Sequence, residues 1–116
     1  MPKLTIDGHG DFDVPPGRRL VLAVEDSGVD ILHRCGGHAR CTTCRVEFVS
    51  GEPERMTRAE RDKLAEKGDL GTYRLSCQCQ VTHDMHVRPL LTLGASGLPD
   101  AGPTPDEAIT PEPEWQ

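Results

Sequence analysis

Five cysteines carry most of the chemistry that this sequence offers. Cys35, Cys41 and Cys44 follow one another as C-x5-C-x2-C, and Cys77 and Cys79 come later as C-x-C. Thiolates are soft ligands that suit both zinc and iron–sulfur clusters. We therefore predict a metal centre that takes three ligands from one loop and a fourth from a distant segment.

The spacing favours a binuclear iron–sulfur cluster over a single ion. One known [2Fe-2S] pattern is C-x4-C-x2-C with a distant fourth cysteine. Here the first gap is one residue longer, and 32 residues separate Cys44 from Cys77. Because residues i and i+2 of a strand face the same side, the spacing leaves open whether Cys77 or Cys79 is the fourth ligand.

The cysteine loop also has the donors that such a cluster needs. Gly36 and Gly37 lack a Cβ, so their backbone can turn sharply and bring N–H groups close to sulfur. Further hydroxyl and guanidinium donors in or beside the loop are Thr42, Thr43, Arg34, Arg40 and Arg45. Hydrogen bonds and charges set the reduction potential of a cluster, so replacing Arg40 or Arg45 by Gln should lower it. The alternative is that the arginines form a solvated face of the loop.

Two other uses of the cysteines are weaker. Structural zinc is usually held by two short C-x2-C knuckles, and this chain has one, Cys41 and Cys44. His83 and His86 could complete a zinc site after Cys79. A dithiol oxidoreductase needs its C-x2-C at the start of a helix, whereas a strand is predicted after Cys44.

Length and composition indicate one small domain with a thin core. The chain has 116 residues, of which 35% are hydrophobic and 3% aromatic, and such domains often rely on a disulfide or a metal. We find no signal peptide and no apolar run of about 20 residues, so we expect a cytoplasmic protein without a membrane partner. In that compartment an odd number of cysteines favours metal binding over disulfides.

The negative charge is concentrated at the C-terminal end. The net charge is −6, and five of the 19 acidic residues lie in residues 94–116, which contain no Lys or Arg. The rest of the chain is nearly neutral and has no basic stretch, which argues against a nucleic-acid partner. Residues 94–116 also hold five of the ten prolines, so we predict a disordered, acidic tail. The alternative is a docking segment that uses its acids and Trp115.

Residues 1–93 alternate between strand and helix signals. Strand patterns occupy residues 3–13 (two strands around a glycine turn), 45–50, 72–81 and 84–90. Pro89 places the last strand at or near an edge of the sheet. One helix ends at Gly28, and a second has a capping box from Thr57 to Glu60 and a stop at Gly68. The order β-β-α-loop-β-α-β-β belongs to the α+β class.

These motifs together resemble a known family. "CGGHARCTTCRVEFVSG", with "YRLSCQCQV" after it and "LVLAVEDSGVDILHRCGG" leading into it, is similar to the plant-type and adrenodoxin-type [2Fe-2S] ferredoxins. The longer first gap is nearest to bacterial ferredoxin domains with a CGGxGxCxxCxV loop. The resemblance covers residues 3–90 and implies a β-grasp fold, in which a helix packs across a mixed β-sheet beside a long cluster-binding loop.

The resemblance also implies which cysteines bind the cluster. The ligands carried over by motif are Cys35, Cys41, Cys44 and Cys77, because Cys77 matches the family's R-L-x-C-Q cysteine. Cys35 and Cys41 would hold the iron nearer the surface. Cys79 is then a small buried residue, or alternatively a spare ligand or a reactive thiol.

The implied function is one-electron transfer without substrate chemistry. The partners would be a ferredoxin reductase and an acceptor oxidoreductase, such as an oxygenase component, and we expect a monomer. The alternative is a redox sensor or regulatory iron–sulfur module. The chain departs from the family pattern at Ala39, where the bacterial group has Gly. Its acidic surface is also reduced, to a patch of Glu25, Asp26 and Asp30.

Overall fold

The fold is built on a mixed five-stranded sheet. A computed structural model describes residues 1–33, 36, 43–92, 102–110 and 112–115. Its strands within these ranges are β1 (Lys3–Ile6), β2 (Gly10–Asp13), β3 (Arg18–Arg19), β4 (Arg45–Ser50), β5 (Arg74–Leu75), β6 (Gln80–Val81) and β7 (Met85–Pro89). Its helices there are α1 (Leu20–Asp26), α2 (Arg58–Lys67) and a 3-10 helix (Ser76–Gln78).

The strand order confirms the predicted β-grasp architecture. The large sheet has the order β2-β1-β7-β4-β5, and β3 pairs with β6 in a separate two-stranded sheet. β1 runs parallel to β7, whereas the other neighbours in the large sheet are antiparallel. No helix in the described part of the chain is long and apolar enough to cross a membrane.

Helix α1 is buried on all sides within the core. Its five consecutive apolar residues, Leu20 to Val24, are each at most 5% exposed. The helix contacts the 3-10 helix, β3 and β6, and its side chains join the core under the large sheet. Gly28 has a φ of 91° just after the helix, so the predicted stop at this glycine is confirmed.

Helix α2 begins at the predicted cap but uses its glutamate differently. The Thr57 hydroxyl accepts a hydrogen bond from the Glu60 N–H at 3.2 Å, and Gly68 ends the helix with a φ of 73°. The Glu60 carboxylate pairs instead with Arg74 and accepts the Leu75 N–H at 2.7 Å. The capping prediction is therefore confirmed for Thr57 and wrong for the Glu60 side chain. The carboxylate binds a buried guanidinium, and such a charged pair forms stronger hydrogen bonds than a carboxylate with a backbone N–H.

Strand β4 ends at Ser50, immediately before the glycine that the sequence predicts as its stop. The φ of Gly51 is 76°, and a Cβ at this position would lie 2.4 Å from the Asp84 carbonyl oxygen. Glycine is required here both for the left-handed backbone and for the close approach of the chain before β7.

Two strand predictions are wrong. Residues 72–81 do not form one strand, because the 3-10 helix interrupts them between β5 and β6. The first residue of this 3-10 helix, Ser76, donates hydrogen bonds from its N–H and its hydroxyl to the Cys44 carbonyl. β7 lies between β1 and β4 rather than at an edge. Pro89 is tolerated because it is the last residue of the strand, and the Leu90 N–H donates to the Arg45 carbonyl in the next position.

The described part of the C-terminal tail packs on the domain. Ile109 is 5% exposed, and Trp115 lies opposite Thr57 in an isolated bridge. These positions differ from the disorder predicted for residues 94–116. Composition could not reveal the packing, because it depends on two buried residues, Pro105 and Ile109, and on backbone carbonyls. The division of the chain near residue 93 stays a prediction.

Candidate metal centre

Two predicted ligands lie next to each other in the core. Cys44 immediately precedes β4, and Cys77 is the middle residue of the 3-10 helix. The N–H and hydroxyl of Ser76 both donate to the Cys44 carbonyl, at 3.1 and 2.6 Å. Cys44 is 3% exposed and Cys77 is 0% exposed. The fold thus brings together two cysteines that 32 residues separate in sequence.

The other two predicted ligands, Cys35 and Cys41, lie outside the described residues. The same is true of Arg34, Gly37, Ala39, Arg40 and Thr42. Gly36 is described: it is buried, has a φ of 72°, and donates its N–H to the His33 carbonyl at 2.8 Å. The prediction that the loop turns sharply at a glycine is confirmed for Gly36.

Gln78 directs an amide N–H at the Cys77 sulfur. Its Nε2 lies 3.7 Å from the Cys77 Sγ, and its Oε1 accepts a hydrogen bond from the Thr57 hydroxyl at 2.8 Å. The side chain is fully buried, so these contacts fix its orientation. Amide donors to a ligand sulfur are among the groups that tune an iron–sulfur centre.

Arg19 places a cation behind the same cysteine. It is 0% exposed, and its Nε donates to the Cys77 carbonyl at 2.6 Å. Burial lowers the pKa of the Arg19 guanidinium, while negative charge on Cys77 and Cys44 acts to raise it. Arginine keeps its proton even so, and it stays a cation beside both described ligands. Sequence reasoning looked for cations within the loop and missed this one.

Glu60 and Arg74 hold the start of the ligand segment, which we define as residues 74–79. Arg74 Nε and Nη2 donate to the two Glu60 carboxylate oxygens at 2.8 and 3.1 Å. Burial acts to lower the pKa of Arg74, but the hydrogen bonds to Glu60 and the negative charges around the guanidinium together outweigh burial and raise the pKa. A buried pair at this separation in sequence gives no periodic signal, so pattern analysis could not find it.

Cys79 has the environment of a small buried residue. It is 1% exposed, and its thiol donates to the Leu75 carbonyl at 3.4 Å. Burial raises the pKa of the Cys79 thiol well above its usual value, which keeps it protonated and unreactive. It borders a cavity of about 570 Å³ that His83 and Trp115 also line. The 3-10 helix removes the strand alternation that would have placed Cys77 and Cys79 on one side.

Arg45 stacks on an aromatic ring. Its guanidinium carbon lies 4.3 Å from the centroid of the Tyr73 ring, a cation–π arrangement. The Tyr73 hydroxyl donates in turn to Asp69 at 2.7 Å. The predicted effect of Arg45 on the reduction potential stays a prediction.

The predicted acidic patch is partly neutralised. Asp26 pairs with Arg18 at 2.9 Å, and the Glu25 carboxylate contacts the His33 Nε2. Sequence reasoning passed over His33, which is 4% exposed. Within the described ranges its buried Nδ1 has no hydrogen-bond partner. Less carboxylate charge is therefore available to a partner here than the sequence suggests.

The described part of the chain contains no site that fits the zinc alternative. No group of three His, Cys, Asp or Glu side chains there could hold a metal ion. His83 Nε2 lies 2.8 Å from the Gly51 carbonyl oxygen, and His86 Nε2 lies 3.4 Å from an Asp7 carboxylate oxygen.

The described groups suit a negatively charged centre with sulfur ligands. Cys44 and Cys77 offer thiolates, Gln78 offers an N–H to sulfur, and Arg19 offers a buried cation. Residues 4–82 match the family described as the 2Fe-2S iron-sulfur cluster binding domain. The chain belongs to this family. Its cofactor is a [2Fe-2S] cluster, as the cysteine pattern predicts, and the resemblance to [2Fe-2S] ferredoxins is confirmed.

Individual relatives agree with this assignment. The 2Fe-2S ferredoxin-5 of Aquifex aeolicus is 35% identical over 86 residues, which are 70% of this chain and 88% of that protein. A component of the Na(+)-translocating NADH-quinone reductase of Chlamydia felis is 39% identical over 90 residues, 73% of this chain and 20% of that protein. The chain thus spans about a fifth of the length of the relatives that belong to this reductase.

A solved structure supports the fold independently. The crystal structure of a ferredoxin from Rhodopseudomonas palustris HaA2 aligns with a TM-score of 0.59 and 26% sequence identity. The alignment covers 78% of this chain and 99% of that one. The shared fold therefore includes nearly the whole of that ferredoxin chain.

Proposed function

We propose that the chain carries single electrons from a ferredoxin reductase to an acceptor oxidoreductase and performs no substrate chemistry itself. The carrier domain would span residues 1–93 and work in the cytoplasm. Support comes from the match to a ferredoxin over most of both chains. When bound, a [2Fe-2S] cluster of the plant type supplies one-electron chemistry at about −400 mV.

The proposed cluster ligands are Cys35, Cys41, Cys44 and Cys77. The observation that carries this proposal is the junction at Ser76, whose N–H and hydroxyl both donate to the Cys44 carbonyl. That junction fixes the backbone of one loop ligand against the residue before the distant one. The burial of both thiols keeps water away from the sulfurs that the cluster would use.

The first experiment is a visible spectrum of freshly purified protein, with iron and acid-labile sulfide assayed on the same sample. We expect charge-transfer bands, about two irons and two sulfides per chain, and uptake of one electron in a reductive titration. A protein that binds zinc without sulfide would contradict the proposal.

Single Cys→Ser variants test the ligand set. We expect Cys35→Ser, Cys41→Ser, Cys44→Ser and Cys77→Ser each to lose most of the bound iron and sulfide. Cys79→Ser is the matched control, because a serine hydroxyl can keep the hydrogen bond to the Leu75 carbonyl. Full cluster content in Cys77→Ser, with loss in Cys79→Ser, would exchange the two assignments.

A further inference from the structure

Residues 105–110, which we call the tail strap, lie against the ligand segment. Ile109 anchors the strap and is 5% exposed. On either side of the exposed residue 107, the carbonyls of Asp106 and Ala108 accept hydrogen bonds from Arg19 Nη1 at 2.8 and 3.2 Å. The strap therefore offers backbone oxygens, rather than its carboxylates, to a buried cation.

Arg19 connects the strap to Cys77. Its Nε donates to the Cys77 carbonyl at 2.6 Å, while its Nη1 reaches the strap. A guanidinium taken out of water needs oxygens around it, because burying a charge without partners is very costly. The strap supplies the carbonyls of Asp106 and Ala108 and, at 3.5 Å from Nη2, the hydroxyl of Thr110. If the strap left, Arg19 would gain by turning toward water and would lose its fixed place beside Cys77.

Gln78 makes a second connection. Its Nε2 donates to the Thr110 carbonyl at 2.8 Å and lies 3.7 Å from the Cys77 Sγ. The Thr57 hydroxyl holds the other end of the amide at 2.8 Å. The Thr110 carbonyl is thus one of the contacts that orient the amide, and losing it would weaken the hold on the N–H that faces sulfur.

We infer that Arg19 and Gln78 are positioning residues through which the docked tail strap raises the reduction potential of the cluster. The inference rests on the proposed function, in which Cys77 is a ligand. Reduction by one electron adds a negative charge to the cluster. A cation and an N–H donor held near a ligand favour that added charge, so the potential falls when either loses its position.

Full-length variants test the inference through the midpoint potential. Arg19→Gln removes the cation, and Ile109→Asn weakens the strap without changing its charge. Arg88→Gln is the control, because Arg88 is a surface arginine that pairs with Asp7 and Glu47, outside the strap and the ligand segment. Arg18 would not serve, because its Nη1 lies 3.9 Å from the Glu107 carboxylate of the strap. For Arg19→Gln we expect a roughly tenfold fall in the equilibrium constant for reduction, which equals ~59 mV for one electron.

The Ile109→Asn variant then shows whether detaching the strap and removing the Arg19 cation lower the reduction potential through the same contacts. We expect Ile109→Asn to lower the potential in the same direction as Arg19→Gln. The potential of the double variant should fall by less than the sum of the two single effects, because only the contact of the strap with Gln78 is left to lose once the guanidinium is gone. Coupled, non-additive effects of this kind are characteristic of residues in direct contact.

Proteolysis measures docking without use of the potential. Glu107 lies between the two carbonyls that bind Arg19, so a protease that cleaves after glutamate can cut there only when the strap detaches. We expect Arg19→Gln and Ile109→Asn to be cut at Glu107 several-fold faster than the unchanged protein, as read by mass spectrometry. Arg88→Gln should be cut at nearly the same rate as the unchanged protein, because Arg88 pairs with Asp7 and Glu47, away from the strap.

The outcomes separate the two proposals. An unchanged potential in Ile109→Asn, despite faster cleavage at Glu107, would overturn the coupling. An Arg19→Gln potential equal to that of Arg88→Gln would overturn the role of Arg19; should Arg19→Gln fail to fold, Ile109→Asn carries the test. A cluster that survives Cys77→Ser would instead overturn the proposed ligand set, and the cleavage rates would still show whether Arg19 docks the strap.

Discussion

Helix α1 and the ligand segment are neighbours in the core, yet they are held in different ways. α1 buries five consecutive apolar side chains and contacts the 3-10 helix through them. The ligand segment buries Arg74, Ser76 and Gln78, each at most 5% exposed and each hydrogen-bonded. Apolar burial is non-directional, whereas hydrogen bonds constrain both distance and angle. The part of the core that positions a ligand cysteine is therefore the polar part.

This contrast predicts that polar substitutions behind the ligand segment act on the cluster, whereas apolar substitutions in α1 act on stability alone. Removing one partner of a buried polar pair costs more folding free energy than the intact pair contributes. The reason is that the remaining partner stays buried without a hydrogen bond or counter-charge. A cavity in α1 leaves the hydrogen bonds of the ligand segment in place.

The largest expected effect is that of Glu60→Gln. It leaves the Arg74 guanidinium, which is 6% exposed, without its main counter-charge. We expect the free energy of unfolding to fall by about 3–5 kcal/mol, as for other broken buried pairs. Urea denaturation measures this fall, and the cluster should also be lost at lower urea concentration than the fold.

A second glutamate on the same helix provides the control. Glu66 pairs with Lys63 at 3.7 Å and its side chain is 71% exposed. Glu66→Gln should change the free energy of unfolding by less than about 0.5 kcal/mol, because exposed pairs contribute little. Equal effects of the two substitutions would show that the Glu60 pair does not hold the ligand segment.

On the apolar side, Leu22→Ala should lower the free energy of unfolding by about 3 kcal/mol, through lost burial and the cavity left behind. Leu22 is 5% exposed, whereas Leu70, the control, is 49% exposed and should tolerate Ala within about 0.5 kcal/mol. The visible spectrum and the iron content of Leu22→Ala should stay unchanged below its unfolding transition. A Leu22→Ala protein that is stable but has lost its cluster would break the contrast between the two regions.

The same contrast explains what the sequence could predict. Strand alternation at residues 45–50, the cap at Thr57 and the stops at Gly28, Gly51 and Gly68 are local signals, and the structure has each of them. Apolar periodicity and glycine conformation act over a few residues, so they are readable without knowledge of the fold. The position of β7 in the sheet is not local, and the rule for Pro89 failed there.

The site was readable only where a motif marks it. The cysteine spacing and its resemblance to ferredoxins pointed to Cys44 and Cys77, which the fold brings together. Arg19 carries no such mark, because its partners are backbone oxygens. Gln78 is the last residue of the R-L-x-C-Q motif, but the motif does not show that its amide contacts Thr110, far away in sequence. Their contacts arise from topology, which places β3 beside β6 and the tail strap over both links to Cys77.

The smallest expected effect concerns Thr57, which connects the start of helix α2 to the ligand segment. Its hydroxyl caps α2 through the Glu60 N–H and also holds the Gln78 amide. Thr57→Val keeps the shape but removes both contacts, so we expect the free energy of unfolding to fall by about 1–2 kcal/mol. Thr57→Ser keeps the hydroxyl and should recover most of that loss in the same urea experiment. If Ser lowers stability as much as Val does, the methyl group of Thr57 contributes as much as its hydroxyl, and the polar part of the core is less important for the ligand segment than its hydrogen bonds indicate.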